Sequence, residues 1–152
     1  MCFKNSMIGV GLALLLGLLP GPALAVGSPT EHLEGEPDFR DARRHLATGQ
    51  YREAITALQR LNSAKPREPA VLNLIGFAHR KLKDYPVSKR FYDAALAEDP
   101  YFRPALEYQG MWFIETGDMD RARANLEKLK QICAACEETK DLENAIATGQ
   151  TH

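Results

Sequence analysis

The sequence predicts an all-α fold of three helical hairpins followed by one capping helix. The clearest hairpin is residues 69–100, in which apolar and small residues recur at offsets of three and four, the spacing of one helical face. That face carries Leu72, Ile75, Gly76 and His79 in the first helix, and Tyr85, Ser88, Tyr92, Ala95 and Leu96 in the second. The pattern recurs when it is shifted in either direction by about 34 residues, the length of a common helical repeat.

Residues 1–25 have the three-part layout of a secretory signal peptide. Lys4 is their only charge, Met7 to Leu19 is an apolar run interrupted only by glycine, and Ala23-Leu24-Ala25 supplies the small residues of a cleavage site. The alternative is a membrane anchor, but this run of 13 residues is shorter than the roughly 20 that a spanning helix needs. We therefore expect export, with cleavage after Ala25, to a bacterial periplasm rather than full secretion.

Residues 26–37 combine Gly, Pro, Ser and acids without a period, which predicts a flexible segment before the repeats, either disordered or loosely docked. The whole chain has a formal charge of −1, and loss of residues 1–25 would make it −2, because Lys4 is the only charged residue removed. Acids and bases are interleaved, so neither nucleic acid nor an anionic membrane is expected as a partner of the mature chain.

From Phe39 onward three copies of one plan can be overlaid. Small residues, and large apolar or aromatic residues, each recur at the same interval along the chain. The equivalent sets are Ala42, Gly76 and Gly110; Ala54, Ser88 and Ala122; Leu58, Tyr92 and Leu126; and Tyr51, Tyr85 and Met119. Small residues let two antiparallel helices approach closely, while larger ones fill the gaps between successive pairs. Since one pair cannot bury its apolar face alone, we expect the units to stack.

This register resembles the tetratricopeptide repeat family over about residues 39–133, with units at about 35–68, 69–102 and 103–136. It is similar to small periplasmic bacterial proteins of this type, whose last repeat also runs into a Cys-containing, Glu-rich end. The resemblance implies a right-handed α-solenoid in which the first helix of each unit lines a concave groove. In this family the groove holds an extended peptide or a helix of another protein.

Carried over position by position, the groove lining comes from Phe39, Arg43, Leu46, Asn73, Leu74, Phe77, Arg80, Lys81, Glu107, Tyr108, Met111 and Ile114. The partner-binding residues that we select from this set are Arg43, Asn73, Phe77, Arg80, Lys81, Tyr108 and Met111. Aromatic, Met and Arg residues are enriched at interface cores. Members of the family that bind chaperones hold a C-terminal carboxylate with Lys and Asn in the first copy. Phe39 and Arg43 occupy those positions here, which does not support such a clamp.

Cys133 and Cys136 are the only candidates for covalent or redox chemistry. In an oxidising compartment two cysteines indicate a disulfide first. Free thiols remain open, as does a redox or metal-handling role, which is the alternative function. A thioredoxin-like site would need a βαβ context, and a zinc site a second ligand pair, so we expect neither a metal site nor a cofactor. No catalytic motif is present in the sequence, and a non-enzymatic protein is expected.

The last segment, about residues 137–148, predicts a capping helix over the third unit. Leu142, Ala145 and Ile146 follow helical spacing, and the acids at its start suit a helix N-terminus. Together these features predict an exported, non-catalytic scaffold or adaptor that binds a peptide or protein in its groove.

Overall fold

The structure is a computed structural model, and it describes residues 30–152. The predicted signal peptide and residues 26–29 of the predicted flexible segment lie outside the described residues. Within the described range, seven α-helices follow one short 3-10 helix, Glu31–Leu33. They are α1 (Pro37–Ala47), α2 (Tyr51–Ala64), α3 (Pro69–Lys81), α4 (Tyr85–Glu98), α5 (Arg103–Glu115), α6 (Met119–Cys133) and α7 (Glu137–Thr148). Residues 30–152 contain no strand, so the described fold is all-α.

The helices pair as three hairpins, α1/α2, α3/α4 and α5/α6, and successive hairpins stack. Each hairpin turns at a residue in the left-handed backbone region, and these residues occupy equivalent positions of the three units: Gly49 (φ 73°), Lys83 (φ 62°) and Gly117 (φ 85°). Glycine adopts this conformation without steric cost, whereas Lys83 holds it as an ordinary L-residue. The repeated turn geometry and stacking establish an α-solenoid of helical repeats.

The approach of α3 to α4 depends on small residues. Ser88 Oγ donates a hydrogen bond to the Gly76 carbonyl at 2.8 Å, across the hairpin. A Cβ atom built on Gly76 would lie 2.8 Å from two ring carbons of Tyr92, whose side chain is fully buried. The structure therefore has no room for a side chain at Gly76, as the small-residue pattern predicts.

The helix α7 covers the third hairpin and packs on both α5 and α6. Leu142 and Ala145 are buried, and a Cβ atom on Gly110 of α5 would meet the methyl carbons of Leu142 at 2.6 Å. None of the helices within residues 30–152 is both long and apolar enough to cross a membrane.

The described part of the segment predicted to be flexible is docked on the first hairpin. Leu33 is fully buried in the core, His32 pairs with Glu68 at 3.0 Å, and Glu36 pairs with Lys65 at 2.7 Å. Residues 30–36 are therefore docked, which is one of the two arrangements that the sequence leaves open. Composition alone could not choose between the two, because the burial of one apolar side chain, Leu33, depends on core residues that lie far along the chain.

Candidate functional site

The first helices of the hairpins line a cavity of about 540 Å³ on the concave face. We call this the N-terminal half of the groove. Its lining includes Phe39, Arg43 and Leu46 from α1, Asn73, Leu74 and Phe77 from α3, and Tyr108 from α5. All seven belong to the set that the sequence placed along the groove. The repeat period brings these side chains together because equivalent positions of successive first helices face the same way.

Phe77 lines this cavity and contacts two other aromatic rings. Its ring centroid is 5.0 Å from that of Tyr108 and 6.3 Å from that of Tyr51. The Arg80 guanidinium carbon and the Lys81 Nζ lie 5.5 Å and 6.0 Å from the Phe77 ring centroid, within the range of cation–π contacts. Aromatic rings held by such contacts present a rigid apolar surface at low entropic cost.

Polar groups flank the apolar centre. The Arg43 side chain is more than half exposed and forms an ion pair with Glu34 at the rim of the cavity. Asn73 lines the cavity, yet it is buried, and its Oδ1 atom has no hydrogen-bond partner among the described residues. A buried acceptor without a partner is costly, so Asn73 is suited to receive a donor from a bound group.

The second part of the groove is closed. We call it the C-terminal half; it consists of Arg80, Met111, Glu107 and Glu115 with residues 150–152 lying over them. Arg80 and Met111 are both fully buried, and an Arg80 Nη lies 3.9 Å from Met111 Sδ. The prediction of these two residues as open groove lining is corrected.

Contacts with Glu115 and with the segment after α7 bury the Arg80 side chain. Arg80 forms an ion pair with Glu115 and donates to the His152 backbone carbonyl, both at 2.5 Å. Thr151 Oγ1 donates to Glu115 at 2.6 Å, and Lys83 lies 3.4 Å from the other oxygen of that carboxylate. Burial alone would raise the pKa of Glu115, but the Thr151 hydrogen bond and the Arg80 charge, together with Tyr85 and Lys83, outweigh it and lower that pKa.

Three potential metal ligands converge beside this closed half. One ligand atom from each of Glu107, Asp141 and His152 lies within 4.8 Å of the others, close enough to hold one cation. His152 Nε2 is 3.1 Å from Glu107 Oε1, so the imidazole contacts the buried carboxyl directly. Burial, followed by the charges of Asp141 and Glu138, raises the pKa of Glu107 to about 8.

The sequence analysis named Glu107 as groove lining but did not connect it with Asp141 or His152. One signal was present: Asp141 follows Glu107 by one repeat length, so α7 continues the register of the first helices. Residues 150–152 had no such signal. Their position depends on Gly149, which ends α7 at φ 70° and redirects the chain.

Cys133 ends α6 and Cys136 precedes α7, where the helices change direction. Their Sγ atoms are 1.99 Å apart and their Cα atoms 5.5 Å apart, a separation typical of a disulfide. Thr139 Oγ1 donates to the Cys133 carbonyl at 2.7 Å, which ties the start of α7 to the end of α6. The oxidised state in solution stays a prediction.

A stack of helical hairpins whose first helices line one concave face defines the class of helical repeat proteins. Within this class, the tetratricopeptide repeat model matches residues 104–133, which span nearly all of α5 and the whole of α6. That unit is a tetratricopeptide repeat by sequence, and the whole stack has the tetratricopeptide repeat fold.

Solved structures show the same fold. The TPR2B domain of yeast Sti1, in its complex with pHsp70, is 16% identical with a TM-score of 0.65, covering 78% of this chain and 99% of that chain. The first TPR domain of human RPAP3 is 18% identical with a TM-score of 0.64, covering 80% and 96%. The first TPR of Spaghetti (RPAP3), bound to the HSP90 peptide SRMEEVD, is 18% identical with a TM-score of 0.61, covering 72% and 90%. No curated protein matches the sequence.

Proposed function

We propose that this protein is a non-catalytic adaptor that binds an extended peptide or protein segment in the N-terminal half of the groove. The observation that carries the proposal is the cavity of about 540 Å³ that the first helices line. It combines an aromatic floor, centred on Phe77, with a buried and unpartnered acceptor at Asn73. Pockets of this kind bind through apolar area and take their orientation from a few polar groups.

The similar structures support a peptide or protein as the ligand class. The Spaghetti domain is described with an HSP90 peptide, and the Sti1 domain with pHsp70. Their low identity transfers the fold and not the ligand, so the partner of this chain need not be a chaperone. A groove with few anchors typically gives micromolar affinity, about −8 kcal/mol.

We also propose that the mature protein acts after export, in an oxidising compartment, with Cys133 and Cys136 bonded. The layout of residues 1–25 supports export, and the two cysteines that remain after cleavage favour a disulfide in an oxidising compartment. Thiol titration of the mature protein, with and without reductant, measures the bond. Two free thiols before reduction would refute it.

The adaptor function is tested by quantitative capture of partners from a periplasmic extract. We expect Arg43→Glu combined with Phe77→Ala to reduce capture of the partner at least tenfold, with an unchanged helical circular dichroism spectrum. Tyr101→Ala is the matched control, because Tyr101 is 72% exposed and lies outside the cavity. Its capture should equal that of the wild type. If the groove variant captures the same partners in the same amounts, binding does not use this cavity.

A further inference from the structure

The segment after α7 lies in the C-terminal half of the groove as a bound peptide would. Residues of the groove contact three different chemical groups of this segment. The His152 carbonyl accepts from Arg80, the Thr151 hydroxyl donates to Glu115, and the His152 imidazole contacts Glu107 at 3.1 Å. The imidazole also meets the Tyr108 ring edge-on, with the centroids 6.0 Å apart. Main-chain and side-chain contacts of this kind are those by which grooves read extended peptides.

The protein groups that make these contacts are costly to bury without a ligand. The Arg80 side chain is fully buried, its Nε atom has no partner among the described residues, and one Nη donates to the segment. A buried cation needs compensating partners, and an empty groove would remove one of them. The segment therefore has a structural role, because it supplies one of the hydrogen-bond acceptors of the buried Arg80 guanidinium.

The residues around His152 also determine which side-chain charge can occupy this position. His152 and Glu107 share a small cavity of about 260 Å³ with three further acids, Glu137, Glu138 and Asp141. A carboxylate placed there would meet like charges, whereas an imidazolium or ammonium group would be attracted.

We propose that the C-terminal half of the groove is a second peptide subsite, which residues 150–152 occupy in cis. An external segment that enters this subsite must displace them, and it must present a hydroxyl followed by a basic side chain rather than an acidic one. The statement about external segments rests on the proposed adaptor function. Occupation in cis does not, and it can be measured without any partner.

The first measurement is the backbone order of residues 150–152 in the full chain, from ¹⁵N relaxation in a buffer containing EDTA, which excludes metal bridging. We expect Thr151 and His152 to have order parameters near the 0.85 of rigid backbone. His152→Glu places a carboxylate among the acids, so these order parameters should fall below about 0.6 while those of the helices stay unchanged. His152→Lys is the matched control, because it keeps a cation, and the segment should remain ordered.

The second measurement uses the His152→Glu chain, whose subsite is predicted to be open. An acetylated peptide of residues 147–152 is titrated into the ¹⁵N-labelled chain. We expect saturable shifts at the Glu107 and Glu115 amides, with at least tenfold more peptide needed for the wild type, whose own segment competes locally. The same peptide with Glu in place of His should bind at least tenfold more weakly.

A mobile Thr151 in the wild type would overturn cis occupation. Equal order in the Glu and Lys variants would overturn the preference for a basic side chain. An absence of shifts at both Glu107 and Glu115 would overturn the subsite. None of these results bears on partner capture through Phe77, so failure of this inference and failure of the adaptor function can be told apart.

Discussion

The guanidinium of Arg80 donates a hydrogen bond to the backbone carbonyl of His152, 72 residues further along the chain, at 2.5 Å. This contact joins the middle of the central hairpin to the segment that follows α7. The same guanidinium pairs with Glu115 of the third hairpin. One buried side chain thus links three parts of the solenoid that helical periodicity alone would leave independent.

Arg80→Met should therefore be strongly destabilising, because it leaves the Glu115 carboxylate without its buried partner. Loss of one member of a buried pair costs about 3–5 kcal/mol. Arg43→Met is the matched control, since its pair with Glu34 is about half exposed and should be worth about 1 kcal/mol or less. Urea unfolding followed by circular dichroism measures both. If both variants lose the same free energy of unfolding, the buried Arg80–Glu115 pair contributes no more to stability than the exposed Arg43–Glu34 pair.

Gly76→Ala should lower the free energy of unfolding by about 1–2 kcal/mol, because overpacking against a rigid ring costs about 1–3 kcal/mol and the better helix propensity of alanine returns up to about 1 kcal/mol. The new Cβ would lie 2.8 Å from the Tyr92 ring and 3.3 Å from the Ser88 carbonyl. Urea unfolding measures the change.

Gly35→Ala is the control for this substitution, because a Cβ there meets nothing within 4 Å. Its thermal and urea unfolding midpoints should match those of the wild type. A Gly76→Ala protein as stable as the Gly35→Ala protein would show that the α3/α4 contact can relax.

Stability should fall as the pH rises from about 5 to about 8. The pKa of Glu107 is raised from its usual 4.5 to about 8 in the folded chain, mainly by burial. Between these values the folded state holds a proton that the unfolded state releases, so rising pH favours unfolding. Each pKa unit corresponds to about 1.4 kcal/mol, so we expect a loss on the order of 3 kcal/mol between pH 5 and pH 8.

Glu107→Gln isolates this effect, because it keeps the shape of the side chain and removes the titration. Unfolding by urea at pH 5, 6.5 and 8 should give a flatter stability profile for the variant than for the wild type. Parallel profiles for the two proteins would mean that Glu107 is ionised in the folded state throughout this range.

The fold was largely predictable because its determinants are local. Helical spacing within residues 69–100, and its recurrence in the units on either side, predict the hairpins, and the turns at Gly49, Lys83 and Gly117 follow the same interval. The N-terminal half of the groove was predictable for the same reason. Asn73 and Phe77 face the cavity because they occupy repeat positions that point to the concave side.

The sequence by itself determined the repeated hairpins and the residues that face the concave side, because both depend on the period of the helix and the period of the repeat. Only the tertiary structure decided which of those residues stay open. Arg80 and Met111 are buried because the segment after α7 returns over α3 and α5, a contact between residues far apart in the chain. That contact depends on the direction set by Gly149 and on the pairing of Thr151 and His152 with Glu115 and Glu107, for which no periodic signal exists.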